Sequence, residues 1–451
     1  MMRPLSELSP AELIRCHITD CPCGRIHEAD LAQPAIGPGS VRTLPEHIRR
    51  LGMKRPLAFS DRNLAALARS RVLNPSEPLY VLNQAEPSAS DATVAEILAA
   101  AHGHDGLIAI GSGTLNDIGK AVSARLGLPF ILVATAPSMD GFVSATSSLT
   151  VDGIKTSVPS RPPDVIIADT DIVRTAPLRL YLAGFGDMLA KITSLLDWRI
   201  AHLITGEYYC SEVAALVRRA CIAVLETAHE IPDRSPRVTE RLLEGLILSG
   251  LAMSLAGVSR PASGTEHYIS HLWDMRHASL GHAHDLHGLQ CLVGTLETLK
   301  LMAAVRQLIP QHGRAHAAAA AHDPAIWAAE LHELLGPAAR PLIELEEKEQ
   351  KYHPGPHAAR LERILAHWPQ ILEVLDELPD FAELEKALKS CGAPLSVADL
   401  KVTEPRLTDV IRHTGDIRDK YIITRLLFDL GELDSVLARL YGPAQPQFSS
   451  P

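Results

Sequence analysis

Residues 263–288, SGTEHYISHLWDMRHASLGHAHDLHG, hold six of the chain's 21 histidines. His267 and His271 are four apart, so a helix sets both on one face and lets them converge on a shared site. A zinc metalloprotease needs Glu directly after the first histidine; Tyr268 stands there, so that chemistry has no support. His277, His282, His284 and His287 offer a further ligand from another turn. A catalytic zinc-type site takes three protein ligands and keeps one position open, and a carboxylate often supplies one of the three. The candidate carboxylate is Asp187 in GFGDMLAK, at the junction of the two halves. A single histidine is more often a hydrogen-bonded imidazole than a ligand, but the cluster as a whole reads as metal-binding.

A second constellation handles phosphate. Gly111-Ser112-Gly113-Thr114-Leu115-Asn116-Asp117 lies between a strand-like run and the helix-like DIGKAVSARLG. Glycines at such a junction let backbone approach a phosphate, and the following helix N-terminus offers free N–H groups. Asn116 replaces the third glycine of the dinucleotide fingerprint, and Ala121 after Gly119-Lys120 excludes a Walker loop. Thr135-Ala136-Pro137-Ser138 forms a related turn after the next strand, so two turns at neighbouring strand ends point to one nucleotide crevice. A third cluster, Cys16, Cys21, Cys23 and His27 in CHITDCPCGRIH, has its closest cysteines only one residue apart. That spacing lacks the usual chelating turn and favours a local N-terminal lobe without metal.

The elements that carry these residues fall into two textures. PLAFS (56–60), PLYVLNQ (78–84), GLIAIGSG (106–113), LPFILVATA (128–136) and DVIIAD (164–169) read as strands, with helical stretches such as 91–102 between them. The alternation predicts an α/β domain with a mostly parallel sheet over residues 1–175. Asp152-Gly153, flanked by β-branched residues, predicts a β-hairpin. From about Pro177 the apolar period becomes helical, and residues 187–230, 238–258, 286–307, 326–348 and 357–377 read as helices of an all-α domain over 176–441. The patch 313–323, GRAHAAAAAHD, reads as a surface insertion or connector, and residues 442–451 as a disordered tail.

Composition narrows the function classes. With 43 Lys+Arg against 53 Asp+Glu the formal charge is −10, which argues against a nucleic-acid partner. The longest apolar stretch, 245–258, is too short to span a bilayer. Seven scattered cysteines and an N-terminus without an apolar secretory core predict a reduced, cytoplasmic protein.

GSGTLNDIGK, TAPSMDGFVSATSSL, IADTDIV, AGFGDMLAK, LAMSLAGVSRPASGTEHYISH, LHG and IRDKYIITRLLFDLGEL together resemble the sn-glycerol-1-phosphate dehydrogenases of the iron-containing alcohol dehydrogenase and dehydroquinate synthase superfamily. The resemblance covers roughly residues 36–435 and implies a Rossmann-like α/β domain, an all-α domain and a metal in the cleft between them. It places the metal ligands on Asp187, His267 and His287, and substrate contacts on Asp140, Asp187 and His271. Cofactor contacts fall on Gly111, Gly113, Thr114, Leu115, Asn116 and Asp117, on Thr135, Ala136, Pro137 and Ser138, and on Ser144. The implied reaction is reversible NAD(P)-linked reduction of dihydroxyacetone phosphate, with Asp187, His267 and His271 as the catalytic group. The implied partners are a small phosphorylated triose or polyol and further copies of the chain, in a dimer or higher homo-oligomer. One divalent metal is implied, zinc first and nickel or iron next. Lys155 and Arg260 are the cations offered for the substrate phosphate, and Asp61 beside Arg62 leaves NAD and NADP equally open. A glycerol-dehydrogenase-like enzyme, a dehydroquinate-synthase-like cyclase and a non-catalytic module are the alternatives. Asp187, where the cyclases carry Glu, argues against the second.

Overall fold

The computed structural model describes residues 3–442 except 30, 75–76, 85–86, 152–153 and 404–406. Its centre is a six-stranded sheet: β1 (Ala35–Gly37), β2 (Leu57–Ser60), β3 (Leu79–Val81), β4 (Leu107–Gly111), β5 (Phe130–Ala134) and β8 (Val165–Asp169). Every pairing in it is parallel, and the order is β1-β8-β5-β4-β2-β3. The strands are short continuous apolar runs because both faces are covered. Ile108, Ile110, Ile131, Val133 and Ile167 fill one face, and Leu107, Ala109, Leu132 and Ala168 the other. The chain leaves β2 toward β3 and then returns past β2 to build β4, so the topology switches direction between β2 and β4. Ligands of open α/β sheets bind at the carboxyl ends of such strands.

The hairpin forms as read: β6 (Thr146–Val151) pairs antiparallel with β7 (Ile154–Pro159). Its Asp152-Gly153 turn lies outside the described residues, as does the tail from residue 443. The first edge strand, Ala35–Gly37, is too short to have a readable period.

Beyond Val173 every described regular element is a helix. The long helical segments are divided where chemistry demands it. Residues 187–230 contain the end of α3 (Leu178–Leu189), then α4 (Lys191–Thr205) and α5 (Ser211–Leu225), with Gly206 in the left-handed conformation closing α4. Ser235 caps α6 (Pro236–Ala256), whose buried face includes the apolar stretch at 245–258. Next come α7 (Thr265–Leu280) and α8 (His287–Val305). Helix α8 is long and apolar enough to cross a membrane, but 83% of its apolar window is buried, as in a core helix.

Residues 312–320 form a mostly exposed surface helix, α9 (His312–Ala320), with Ala315 and Ala319 buried against neighbouring helices. An alanine-rich segment lacks a strong apolar period, but its small side chains pack closely. The segment 326–348 breaks at Gly336-Pro337, and 357–377 breaks before Pro369. The closing segment is two short helices, Ile423–Asp429 and Leu433–Tyr441, separated by Gly431 at φ 68°.

Candidate active site in the inter-domain cleft

Two close helix contacts assemble the cleft. A Cβ on Gly288 would fall 1.9 Å from the Ala183 carbonyl oxygen, and one on Gly184 would fall 1.8 Å from that of Pro137. Bare backbone at these positions lets α3 touch both α8 and the turn after β5. Asp187 on α3 is thereby set beside the Asp140 loop, His267 on α7 and His287 at the start of α8.

Asp187 is buried, and its Oδ2 accepts the Asp140 N–H at 2.9 Å. Its Oδ1 takes Lys191 Nζ at 3.0 Å and lies 3.5 Å from His267 Nε2. Burial would raise this carboxyl, but the Lys191 ammonium and then His267 hold it well below the carboxylate range. Lys191 also pairs with Asp140 Oδ2 at 2.8 Å. Burial would lower its ammonium, yet Asp140 and Asp187 keep it charged. Ser249 donates to the same Asp140 oxygen at 2.8 Å.

The histidine rings form a triangle, with centroids 5.2 Å apart for His267–His287, 5.7 Å for His271–His287 and 6.3 Å for His267–His271. His267 Nδ1 donates to Glu266 Oε1 at 2.8 Å, which turns the Nε2 lone pair toward Asp187. Glu266 is itself fixed by the Gly264 N–H and the Thr193 hydroxyl, both at 2.7 Å. A ligating histidine commonly has its other nitrogen held by a carboxylate in this way. His287 Nδ1 meets the Ser270 hydroxyl at 2.9 Å, and its Nε2 lies 3.5 Å from Cys291 Sγ. Ligand atoms of His267, His287 and Cys291 all lie within 4.8 Å of one another. One carboxylate, oriented imidazoles and a nearby thiol fit a borderline divalent cation. His271 Nδ1 is buried and has no partner among the described residues. Burial, Arg418, His287 and His267 push this imidazole well below its ordinary value, so it is neutral at neutral pH. His277, His282 and His284 turn to one another: the rings of His277 and His284 stack at 3.8 Å, and His277 meets the His282 carbonyl at 2.6 Å.

The phosphate-type turns lie side by side. Gly111 pairs with Ala134, and the Thr135 N–H donates to the Gly111 carbonyl at 3.0 Å. Helix α2 (Gly113–Leu126) starts inside the motif, and Ser112 offers it no side-chain cap, which leaves first-turn N–H groups of Gly113, Thr114 and Leu115 for a ligand. Gly113 stays bare beside Met139, since a Cβ would meet its side chain at 2.9 Å. Asn116 donates to the Gly141 carbonyl at 3.2 Å, and Asp117 pairs with Lys120 at 3.0 Å. Lys120 also reaches Ser144 Oγ at 3.0 Å, so Ser144 is bound into the wall of the crevice. Ala136, Pro137 and Ser138 run from there to Asp140. Asp61 and Arg62 follow β2, on the other side of the switch point.

The family model for iron-containing alcohol dehydrogenase matches residues 35–177. The glycerol-1-phosphate dehydrogenase (NAD(P)+) of Bacillus licheniformis is 30% identical over 432 residues, covering 93% of this chain and 94% of the relative. The chain belongs to the glycerol-1-phosphate dehydrogenase family. The Halalkalibacterium halodurans member is 29% identical over 92% of this chain and 96% of its own. That of Pyrococcus furiosus is 42% identical over 189 residues, 42% of this chain and 54% of the relative. In fold, the chain is similar to a probable glycerol dehydrogenase from Sinorhizobium meliloti, with TM-score 0.58, 18% identity and coverage of 90% and 95%.

Several groups in this family member escaped the sequence reading. Lys191 sits four residues after Asp187, a spacing that could have marked it as an ion-pair partner. Glu266 precedes His267 directly, but only the fold shows that its carboxylate reaches back to the ring. Arg260 is buried and committed to Glu207, at 2.5 and 2.7 Å, and to the Tyr421 carbonyl. The side chain of Lys155 lies outside the described residues. Near the cleft, Lys420 meets Ser259 Oγ at 2.7 Å. Burial, Arg260 and Arg418 draw its ammonium down to about 7.

Proposed function

We propose that the chain is an NAD(P)-dependent sn-glycerol-1-phosphate dehydrogenase that reversibly reduces dihydroxyacetone phosphate. The observation that carries this reading is the run of contacts from the 111–117 turn to the metal-type cluster: Asn116 donates to the Gly141 carbonyl, the adjoining Asp140 N–H donates to Asp187, and Asp187 faces His267. The uncapped start of α2, with Thr135 and Ser138 on the neighbouring turn, would hold the nucleotide pyrophosphate. Asp187, His267 and His287 would hold one divalent metal, whose contribution there would be Lewis acidity toward the C2 carbonyl.

The chain's own residues do the rest. Lys191 keeps Asp187 ionised and pins both Asp187 and Asp140 in place. Glu266 holds the His267 tautomer. His271, whose Nδ1 has no partner among the described residues, would hydrogen-bond the substrate and relay a proton to the C2 oxygen, releasing it from one ring nitrogen as the other takes one up from solvent. Lys420 and Arg418 supply the cations for the phosphate: burial first, and then Arg260 and Arg418, depress the Lys420 ammonium, and a bound dianion offsets both. The α/β part over 1–175 and the helical part over 176–441 act as the nucleotide and the metal–substrate halves of a soluble cytoplasmic homo-oligomer.

The test is NAD(P)H absorbance with dihydroxyacetone phosphate, dihydroxyacetone and small ketones, each with zinc, nickel or iron supplied. Turnover that requires the phosphate is the expected outcome. Reduction of dihydroxyacetone alone overturns the assignment in favour of a polyol dehydrogenase.

A further inference from the structure

The N-terminal cysteines gain a partner that lies far away in sequence. Residues 3–28, counted with the α/β half by composition, pack on helices of the second half: the Leu5 N–H donates to Glu212 at 3.0 Å, and His27 Nδ1 donates to the Leu255 carbonyl at 2.9 Å. Cys16 drops out of the cluster and Cys210, the residue that caps α5, enters it. We propose that Cys21, Cys23, His27 and Cys210 form a closed zinc site that fastens the N-terminal lobe to α5 and α6.

The geometry suits that ion. Ligand atoms of all four residues lie within 4.8 Å of one another. Cys21 Sγ is 3.7 Å from Cys210 Sγ, and His27 Nε2 is 3.2 Å from Cys23 Sγ and 3.4 Å from Cys210 Sγ. Tetrahedral zinc with Zn–S near 2.3 Å and Zn–N near 2.0 Å sets its sulfurs about 3.7 Å apart and sulfur–nitrogen pairs about 3.5 Å apart. A disulfide needs sulfurs at about 2.05 Å, so Cys21 and Cys210 are spaced as co-ligands, and all seven cysteines are free thiols.

Orientation agrees as well. The bond from His27 Nδ1 to the Leu255 carbonyl fixes the tautomer and leaves the Nε2 lone pair facing three sulfurs, the outer-shell arrangement of a structural histidine ligand. The Val213 N–H points at Cys210 Sγ at 3.5 Å, as amides do around bound thiolates. The Cys-Pro-Cys spacing also makes a chelating turn after all. The Gly24 N–H donates to the Cys21 carbonyl at 2.9 Å, closing a tight turn over Cys21–Gly24, and Gly24 at φ 77° redirects the chain beyond Cys23. His27 and Cys210 are fully buried, Cys21 nearly so and Cys23 half-buried, and four protein ligands complete the tetrahedron, leaving no open position for substrate. Three thiolates and one imidazole in a closed tetrahedron select zinc.

The test is metal content of the full chain purified without chelator, by plasma mass spectrometry, for the wild type, Cys23→Ser, His27→Ala and His27→Cys. The expected result is one zinc equivalent fewer in Cys23→Ser and His27→Ala than in the wild type, and retention in His27→Cys, which rebuilds four ligands. His27→Cys also covers the case in which Cys23→Ser does not fold. Zinc content unchanged in Cys23→Ser, or a Cys21–Cys210 disulfide in the metal-free wild type, overturns the proposal. Because the readout is a difference in zinc at the lobe, failure of the dehydrogenase assignment leaves it intact, and the reverse also holds.

Discussion

The two side-chain clusters of this molecule solve opposite problems. In the cleft, Asp187, His267 and His287 come from three helices, and His271 stands beside them with a buried nitrogen that has no partner among the described residues. In the lobe, Cys21, Cys23, His27 and Cys210 close on one another, and no nitrogen of His27 is left over. A catalytic metal needs an open position and an unsatisfied neighbour; a structural one needs neither. The same contrast explains their different visibility in sequence. Two cleft histidines share one helix at a four-residue spacing, whereas Cys210 lies 183 residues from His27.

Asp187→Asn separates the clusters most sharply. It removes the charge that Lys191 and His267 share, and the reductase rate is expected to fall about a thousandfold or more, consistent with several kcal/mol of lost charge stabilisation. The zinc of the lobe stays in place, as metal analysis of the same sample would report. Loss of both metals together would erase the distinction.

Cys23→Ser sharpens the contrast from the other side. Removing a structural ligand forfeits binding free energy that counts as stability, about 2.7 kcal/mol if free zinc stands a hundredfold above its dissociation constant. A clear fall in Tm with kcat of the folded enzyme retained is the expected pattern. A thousandfold loss of kcat with Tm unchanged would place the cluster in the chemistry.

Lys420→Met probes the cleft more gently. The KM for dihydroxyacetone phosphate should rise about tenfold with kcat nearly unchanged, because a charge-assisted phosphate contact is worth roughly 1.5 kcal/mol in both ground and transition states. Equal KM values for variant and wild type would move the phosphate elsewhere.

The smallest effect is set by a pair outside both clusters. His413 Nδ1 lies 2.9 Å from Asp416 Oδ2, and its Nε2 3.6 Å from Glu330. Burial would lower this imidazole, but Asp416 and Glu330 raise it to about 9, while Asp416 is held at about 2 despite its burial. The raised histidine stabilises the fold fully below its unfolded value of about 6.5, and that contribution is lost as pH climbs through 9. The depressed carboxylate contributes above about 4 and is lost toward pH 2. The Tm should therefore decline between pH 6.5 and 9 in the wild type and stay flatter in His413→Asn. Parallel Tm profiles for the two proteins would contradict the pairing.

Much of the fold was legible because local pattern and tertiary role agree. Strands buried on both faces read as apolar runs, the Asp152-Gly153 signal marked a hairpin, and the change of period near Pro177 marked where helices begin. Helix ends were less legible, since Gly206, Gly336 and Pro369 interrupt segments whose apolar period continues past them. The helical state of 312–320 was not legible because an alanine-rich run shows no apolar face. Within the site, histidines, Asp187 and the glycine turn stood out by type and spacing. Glu266, Lys191 and Lys420 did not, because their roles depend on which group the fold turns toward them. Cys210 had no local signal at all.

The most direct test of the central claim is the product formed from dihydroxyacetone phosphate and NAD(P)H, resolved by enantiomer, for the wild type and His267→Ala. The account predicts sn-glycerol 1-phosphate from the wild type and a loss of turnover in the variant together with one metal equivalent. Formation of the opposite enantiomer, or undiminished turnover in His267→Ala, would contradict it.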